Sequence, residues 1–330
     1  RVRKISIQAD TDVWLEYAGE KGIHGAILSY LSLKKENFYM VENTVDGKFF
    51  VTARGWEDLS EILKSYEELQ VEIGEELIGE FLQKEEIARD FAGYYRLYEK
   101  YKSDYQIQEI LDGNVISGQL KTCCDMGKKA SFEERFTVTE MLLEAVTERI
   151  SVFQKTDEKT EKLYENLKFL KIFLQEKNSV EAMEQFVASR RKALDAKICS
   201  ELLTAEEAAR EEEQIRILEE YFLQLKELHI SGVAEGIEQI GERFGNVCRL
   251  RNEKLKETKK MLEQAFSFLE ECFGEGQELL LFETGLTGDD RCSIFISQYG
   301  CPSYFKHCEL LLYSKKENEM RKECRDLLEE

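Results

Sequence analysis

An arginine and a tryptophan, Arg54 and Trp56, lie in the segment FVTARGWEDLSEIL, where a short apolar strand is followed by the pattern of an amphipathic helix. The pattern predicts Thr52 as the N-cap of that helix and places Arg54 in its first turn. The helix dipole favours anions at this end, so a cation here is unexpected in a chain with a net charge of −20. Two interpretations stay open: Arg54 points into water and covers Trp56, or its guanidinium reaches a negative ligand.

Four residues near the end of the chain have the side chains of a metal site. Cys292, Cys301, His307 and Cys308 fall within 17 positions, with the spacing C-x8-C-x5-H-C. Structural zinc sites usually contain a close C-x2-C pair, which this spacing lacks. We therefore expect no metal here, and buried reduced thiols instead.

Motifs of nucleotide hydrolysis and of nucleophilic catalysis are absent from the sequence. It contains no G-x-x-x-x-G-K-[ST] loop and no apolar strand that ends in paired acids, so we expect these residues alone not to hydrolyse a nucleotide. None of the three histidines lies in a motif with Ser, Cys or Asp that is typical of a nucleophilic site. No residue is predicted as catalytic.

The composition predicts a mostly α-helical cytoplasmic protein. One proline in 330 residues, with abundant Glu, Lys and Leu, favours long helices. Forty-six basic and 66 acidic residues disfavour binding to nucleic acid or to an anionic membrane. No stretch approaches the roughly 20 apolar residues of a membrane span. Nine cysteines without a disulfide-like pattern, in a chain that opens with no signal peptide, favour a reducing compartment.

Residues 11–112 are predicted to form one helical domain around a small β-hairpin. The segment NFYMVENTVDGKFFVTA alternates strand-forming residues, and Asp46-Gly47 is predicted to form its turn. The domain ends in an aromatic cluster that consists of Phe91, Tyr94, Tyr95, Tyr98 and Tyr101. The helical spacing of these residues is typical of buried packing rather than of a ligand-binding surface.

The rest of the chain is predicted to be helical after a break. Residues 113–130 hold three glycines and lose the helical period, which indicates a linker. Residues 131–276 are predicted to form a helical extension, in which a capping box at Ser131 starts a helix that ends near Phe153. A second capping box at Thr204 starts one arm of a helical hairpin or short coiled coil. Residues 277–330 are predicted to form a C-terminal helical cap.

Two long stretches of the chain resemble MoxR-type AAA+ ATPases. RVRKISIQADTDVWLEYAGEKGIHGAILSYL and NFYMVENTVDGKFFVTARGWEDLSEILKSYE are similar to the end of the AAA+ core and the helical lid of that family. KKASFEERFTVTEMLL and CSIFISQYGCPSYFKHCELLLY are similar to the helical extension of a bacterial branch. The resemblance implies that residues 1–10 end a truncated core, that 11–112 are a lid, and that an elongated, coiled-coil-like helical domain follows.

The resemblance also implies a role for Arg54. In AAA+ proteins the lid helix begins with an arginine, called sensor 2, that contacts the γ-phosphate of ATP held by the core. VTARGWEDLS has Arg54 at that position, with Ala53 where the family often has proline and Gly55 directly after. ATP and Mg²⁺ are then implied cofactors of the full-length protein. Hexamers and chaperone-like remodelling of a protein partner, alongside a von Willebrand factor A domain protein, are implied as well. The alternative is a stand-alone acidic helical adaptor without catalysis.

Overall fold

The computed structural model of the chain describes residues 9–44, 47–114, 117–174 and 178–311. These residues are mostly α-helical, as predicted, with one two-stranded antiparallel sheet. In chain order the helices are α1 (Thr11–Lys21), α2 (Gly25–Leu33), α3 (Ala53–Glu68), α4 (Glu75–Phe81), α5 (Glu85–Tyr105), α6 (Ile107–Asp112), α7 (Ser117–Gly127), α8 (Phe132–Phe173), α9 (Ser179–Cys199), α10 (Ala205–Glu227), α11 (Val233–Phe273), α12 (Gln277–Gly288), α13 (Asp290–Tyr299) and α14 (Pro302–Leu311). The strands are β1 (Met40–Thr44) and β2 (Gly47–Val51). Within this part of the chain, no helix combines the length and the apolar character that crossing a bilayer requires.

The described chain divides into two compact units. The first contains the described residues up to Thr147 and those from Met261 onwards, and the second contains Glu148–Lys260. The boundary therefore falls inside the two longest helices, α8 and α11, and each of them contributes to both units.

The predicted hairpin is present directly before α3. Met40 pairs with Val51 and Val41 with Phe50 in the antiparallel register of β1 and β2. Gly47 opens β2, while Asp46, the other residue of the predicted turn, lies outside the described residues. Because Val51 is fully buried at the end of β2, the hairpin fixes the point from which the chain enters α3.

An aromatic cluster forms the centre of the first unit. Tyr30 of α2, Trp56 of α3 and Phe91 of α5 are all fully buried, and their ring centroids lie 5.1 to 5.8 Å apart. Tyr95 and Tyr98 continue this core along α5. The prediction that the α5 aromatics pack rather than bind is thus confirmed for the buried members, since aromatic rings in this geometry stabilise a core.

The glycine after Arg54 has a packing role that can be tested. A Cβ atom built on Gly55 would lie 2.8 Å from the carbonyl oxygen of Phe81 at the end of α4. Backbone cannot give way as a side-chain tip can, so Gly55→Ala should lower the free energy of unfolding by about 1–3 kcal/mol. Urea denaturation followed by far-UV circular dichroism measures this loss.

Gly93→Ala is the matched control for this substitution. Gly93 lies inside α5, and a Cβ there meets no atom within 4 Å. Alanine should stabilise that helix by about 0.5–1 kcal/mol, because glycine loses more backbone entropy on folding. If Gly55→Ala stabilised the protein as much as the control does, close packing of α3 on α4 would be ruled out.

The interval 113–130, predicted as a linker, is helical over most of its length. It contains α7, in which Cys123 and Cys124 are buried. Two of its three glycines have specific positions: Gly113 ends α6 with a φ of +68°, and a Cβ on Gly127 would lie 2.8 Å from the Phe273 ring. Gly113 ends a helix and Gly127 makes a close contact, so neither glycine marks a linker, as the sequence-based prediction had assumed. The compact units divide at 147/148 and 260/261 instead.

Helix α8 continues where the sequence analysis predicted an end near Phe153. Its start is as predicted, because the backbone N–H of Glu134 donates to Ser131 Oγ over 3.2 Å. Beyond Phe153 the hydroxyls of Thr156 and Thr160 donate to carbonyls one turn earlier, over 3.1 and 2.8 Å. Without glycine or proline at this point, nothing interrupts the backbone ladder, and the two predicted helices form one.

Four helical segments pack around one apolar core in the second unit. They are the end of α8, α9, α10 and the first part of α11, and the core includes Leu170, Phe186, Leu218 and Tyr221. The capping box predicted at Thr204 is complete, with both reciprocal hydrogen bonds to Glu207. Helix α10 packs extensively along α9 and contacts α11 where Arg243 pairs with Glu220. The predicted arm that starts at Thr204 is therefore part of a larger helical assembly.

Candidate functional site

The candidate site is the first turn of α3, where the helix start agrees with the sequence-based prediction. Thr52 has the extended backbone of an N-cap, and its Oγ1 accepts a hydrogen bond from the Gly55 N–H over 3.2 Å. Its carbonyl accepts the first helical bond from the Trp56 N–H over 3.1 Å. These two bonds satisfy backbone groups that the helix itself leaves free. Arg54 is consequently the second residue of the helix.

Trp56 fixes this turn to the core of the first unit. Its side chain is fully buried, and the indole N–H donates to the Phe38 carbonyl over 3.1 Å. The close approach of Phe81 at Gly55 is a second contact that holds the same turn. Because the start of α3 is held at both places, the side chain of Arg54 extends from a defined backbone position.

Arg54 itself is exposed. Its side chain is 78% accessible, and its Nε and Nη2 hydrogen bond to the two oxygens of Asp58 over 3.0 and 2.8 Å. This two-point pair lies one turn along α3, at the i, i+4 spacing that helices favour. Asp58 raises the pKa of Arg54 through these hydrogen bonds and through its charge. The acidic partner that the first turn lacks is thus supplied from the second turn.

The surroundings of Arg54 are polar and partly aromatic. Glu57 on α3 lies close enough for its negative charge to add to the rise in the pKa of Arg54, and the half-exposed Tyr17 of α1 lies nearby. A guanidinium has five N–H donors, and the pair with Asp58 uses two of them. The other donors face water and suit the oxygen atoms of an anion such as phosphate. The geometry permits anion contact, and the assignment of Arg54 to nucleotide stays a prediction.

The four residues considered for a metal site do not converge. Each contacts a different residue: Cys292 Sγ lies 3.5 Å from Thr147 Oγ1, Cys301 contacts Glu263, and His307 contacts Glu270. Within the described ranges no group of three or more His, Cys, Asp or Glu side chains is arranged to hold a metal ion. Cys292 and Cys301 are free buried thiols, and burial raises the pKa of each to about 12.

Sequence reasoning missed a buried polar cluster at the other end of α3. His24 Nε2 lies 2.8 Å from Glu67 Oε1, the Tyr95 hydroxyl donates to the same oxygen over 2.9 Å, and Lys102 lies 3.1 Å from Oε2. Ala26 donates its N–H to His24 Nδ1, so the imidazole carries its proton on Nε2 and donates it to Glu67. The cluster borders a surface pocket of about 750 Å³.

A signal for this cluster was present in the sequence. Along α3 the buried stripe runs through Trp56 and Leu63, and Ser60 and Glu67 fall on the same face at helical spacing. Ser60 Oγ accepts a hydrogen bond from the His24 N–H over 2.9 Å. A polar residue on an apolar face usually meets a buried partner, and here both meet the same histidine.

Fold and site together define a mostly α-helical protein that presents an exposed arginine at the capped start of a packed helix. Comparison with protein-family models, with curated proteins and with solved structures finds no match to this chain.

Proposed function

We propose that this chain is the lid and helical effector region of a MoxR-type AAA+ ATPase. Residues 11–112 would form the lid, and Arg54 would act as sensor 2 on ATP and Mg²⁺ held by an AAA+ core. Nucleotide binding and hydrolysis in that core would move the lid. An elongated, coiled-coil-like extension would pass the movement to a protein partner.

The observation that carries the proposal is the presentation of Arg54. A fully exposed surface arginine on a loosely held helix would be of little use to a phosphate, because its position would vary. Here the turn is fixed by the buried Trp56, and the guanidinium is exposed and oriented by Asp58. A phosphoryl-transfer site acts mainly by holding positive charge next to the γ-phosphate before the reaction begins.

The proposal extends to assembly and partner. By resemblance, the full-length protein would form hexamers and remodel a protein partner together with a von Willebrand factor A domain protein. The net charge of −20 supports a protein partner over nucleic acid.

Arg54→Ala in the full-length protein tests the proposal. ATP turnover should fall at least about tenfold, because one positioned charge at the transferred phosphate is lost, while the far-UV circular dichroism spectrum and the melting temperature stay unchanged. Arg89→Ala is the matched control, since Arg89 is also an exposed helical arginine paired with carboxylates, Glu75 and Glu85. That variant should keep full turnover.

The alternative function is a helical adaptor that binds proteins without catalysis. The second unit offers one observation in its favour, because Ile198 near the end of α9 and Leu202 just after that helix expose large apolar side chains, 49% and 72% accessible. An adaptor would tolerate Arg54→Ala without loss of function. ATP hydrolysis that is equal in the Arg54→Ala variant and the wild type would remove the sensor assignment, and a full-length wild type that does not hydrolyse ATP would favour the adaptor.

A further inference from the structure

Two cysteines that are far apart in the chain are buried side by side in the first unit. Cys124 of α7 and Cys272 of α11 are free thiols, 6% and 2% accessible. The two thiols are joined by a hydrogen bond. The function proposed for Arg54 uses neither of them.

Helices α7 and α11 approach each other closely at this place. A Cβ atom built on Gly127 would lie 3.6 Å from the Cβ atom of Cys272 and 2.8 Å from the Phe273 ring. Gly127 lies three residues after Cys124, and side chains at this spacing are neighbours on one face of a helix. The face of α7 that carries Cys124 therefore packs directly on Cys272, and the missing Cβ of Gly127 lets the helices come this close.

The neighbouring Cys123 faces a different helix. Its Sγ lies 3.9 Å from the carbonyl oxygen of Asp104 and 4.0 Å from that of Tyr105, at the end of α5. Consecutive Cα atoms are about 3.8 Å apart, which is below the Cα separation that a disulfide usually requires. This geometry disfavours a bond between Cys123 and Cys124, and it makes Cys272 the partner for Cys124 across the helix contact.

Burial protects this pair of thiols while the protein stays folded. Burial raises the pKa of the Cys272 thiol, and the hydrogen bond with Cys124 raises it further. The thiolate is the form that attacks an oxidant, and a raised pKa keeps that form scarce. Oxidation of the pair therefore takes place as the chain folds, or when α7 opens locally.

We propose that Cys124 and Cys272 form a redox modification site, at which a disulfide fastens α7 to α11. Both residues belong to the first unit, and the sequence of the second unit, Glu148–Lys260, lies between them. The bond thus closes a long chain loop, and such a bond stabilises the folded protein by restricting the unfolded chain. The proposal is independent of the function proposed for Arg54.

The oxidant is a low-molecular-weight disulfide such as oxidised glutathione. One of the two protein thiols loses its proton and attacks a sulfur of this disulfide, which gives a mixed disulfide and releases one glutathione thiolate. The other protein thiol loses its proton and attacks the protein sulfur of the mixed disulfide, so the Sγ–Sγ bond forms and the second glutathione thiolate leaves. Two protein thiols are oxidised, one glutathione disulfide is reduced, and the two protons pass to the leaving thiolates.

Refolding in a glutathione redox buffer tests the proposal, because the unfolded chain exposes every thiol. The full-length protein is unfolded in urea and diluted into oxidised and reduced glutathione, and its free thiols are then alkylated. Mass spectrometry of the unreduced peptides should find Cys124 joined to Cys272 in most molecules. Prolonged incubation of the native protein in the same buffer should give the same bond more slowly, and it needs no refolding.

Urea denaturation of the oxidised and reduced forms measures what the bond does. The ratio of folded to unfolded protein should rise at least about tenfold on oxidation. Cys124→Ser and Cys272→Ser should each abolish this rise. Cys199→Ser is the matched control, since Cys199 is an exposed free thiol at the end of α9, and that variant should keep both the bond and the rise. Each variant is compared with its own reduced form, so a change in its basal stability does not affect the result.

Three results would overturn the proposal. One is that Cys124 and Cys272 are both recovered as alkylated thiols after refolding and after native incubation. Another is that Cys124 is found bonded to Cys123 or to a cysteine other than Cys272. The third is that oxidation stabilises Cys124→Ser as much as it stabilises the wild type.

Discussion

Trp56→Ala should lower the free energy of unfolding by about 3–5 kcal/mol, the range for removing a fully buried large aromatic side chain. The indole contacts Tyr30 and Phe91 in the aromatic cluster, and its N–H satisfies the Phe38 carbonyl. Alanine would leave a cavity between three elements and an unsatisfied carbonyl beside it. Guanidinium denaturation followed by far-UV circular dichroism measures the loss without depending on tryptophan fluorescence.

The other tryptophan of the chain provides a control that separates volume from hydrogen bonding. Trp14 is also buried, but its indole N–H has no hydrogen-bond partner among the described residues. Trp56→Phe should cost about 1–3 kcal/mol because a buried carbonyl loses its donor. Trp14→Phe breaks no such bond and should cost less than Trp56→Phe. Equal losses in the two phenylalanine variants would show that the Phe38 bond contributes little.

Glu67→Gln should lower the free energy of unfolding by about 2 kcal/mol at pH 7, because hydrogen bonds to a charged group are among the stronger ones. The carboxylate accepts from His24 and Tyr95 and pairs with Lys102, so three side chains lose a charged partner at once. Burial alone would raise the pKa of Glu67, but the hydrogen bond from His24, the charge of Lys102 and the hydrogen bond from Tyr95 lower it to about 2.

The pH dependence of this cluster follows from the lowered pKa of Glu67. A depressed folded-state pKa gives stability that is present above the unfolded value of 4.5 and is lost as pH falls through about 2. The stability difference between wild type and Glu67→Gln should therefore shrink as pH is lowered from 5 to 2 in urea titrations. Glu68→Gln, at the exposed neighbouring position, should change stability by less than about 0.5 kcal/mol. A difference between wild type and Glu67→Gln that stays constant down to pH 2 would contradict the assignment.

Glu67 and Glu283 differ because of what surrounds each carboxylate. Glu67 accepts hydrogen bonds from His24, just before α2, and from Tyr95 of α5, and it lies at a pocket edge, so its charged form is stabilised. Glu283 of α12 is buried and has no hydrogen-bond donor among the described residues, and burial raises its pKa to about 7.

The candidate site shows how far local sequence reasoning reaches. The position of Arg54 in the first turn and the Thr52 cap were both predicted correctly. The pair with Asp58 follows from i, i+4 spacing and was also open to prediction. The nucleotide role of Arg54 rests on resemblance and stays a prediction, which the turnover measurement with Arg54→Ala decides.

The sequence alone determined those features of this protein that depend on residues close together in the chain. Helix starts at Thr52, Ser131 and Thr204 are such features, because a cap bonds to backbone only three residues away. The hairpin before α3 and the helical class belong to the same group. Their energetics are local, so pattern and spacing are sufficient.

Only the tertiary structure decided which distant groups meet. It gave the glycines of 113–130 a helix end and a contact with Phe273, which no local pattern shows. It brought Glu67 to His24 across 43 positions, and it buried Glu283 where no group of the described residues donates to its carboxyl. Whether a carboxylate faces water, pairs with a cation or is buried without a donor depends on the elements that pack around it. Burial and pKa are for that reason properties of the folded core and not of the sequence pattern.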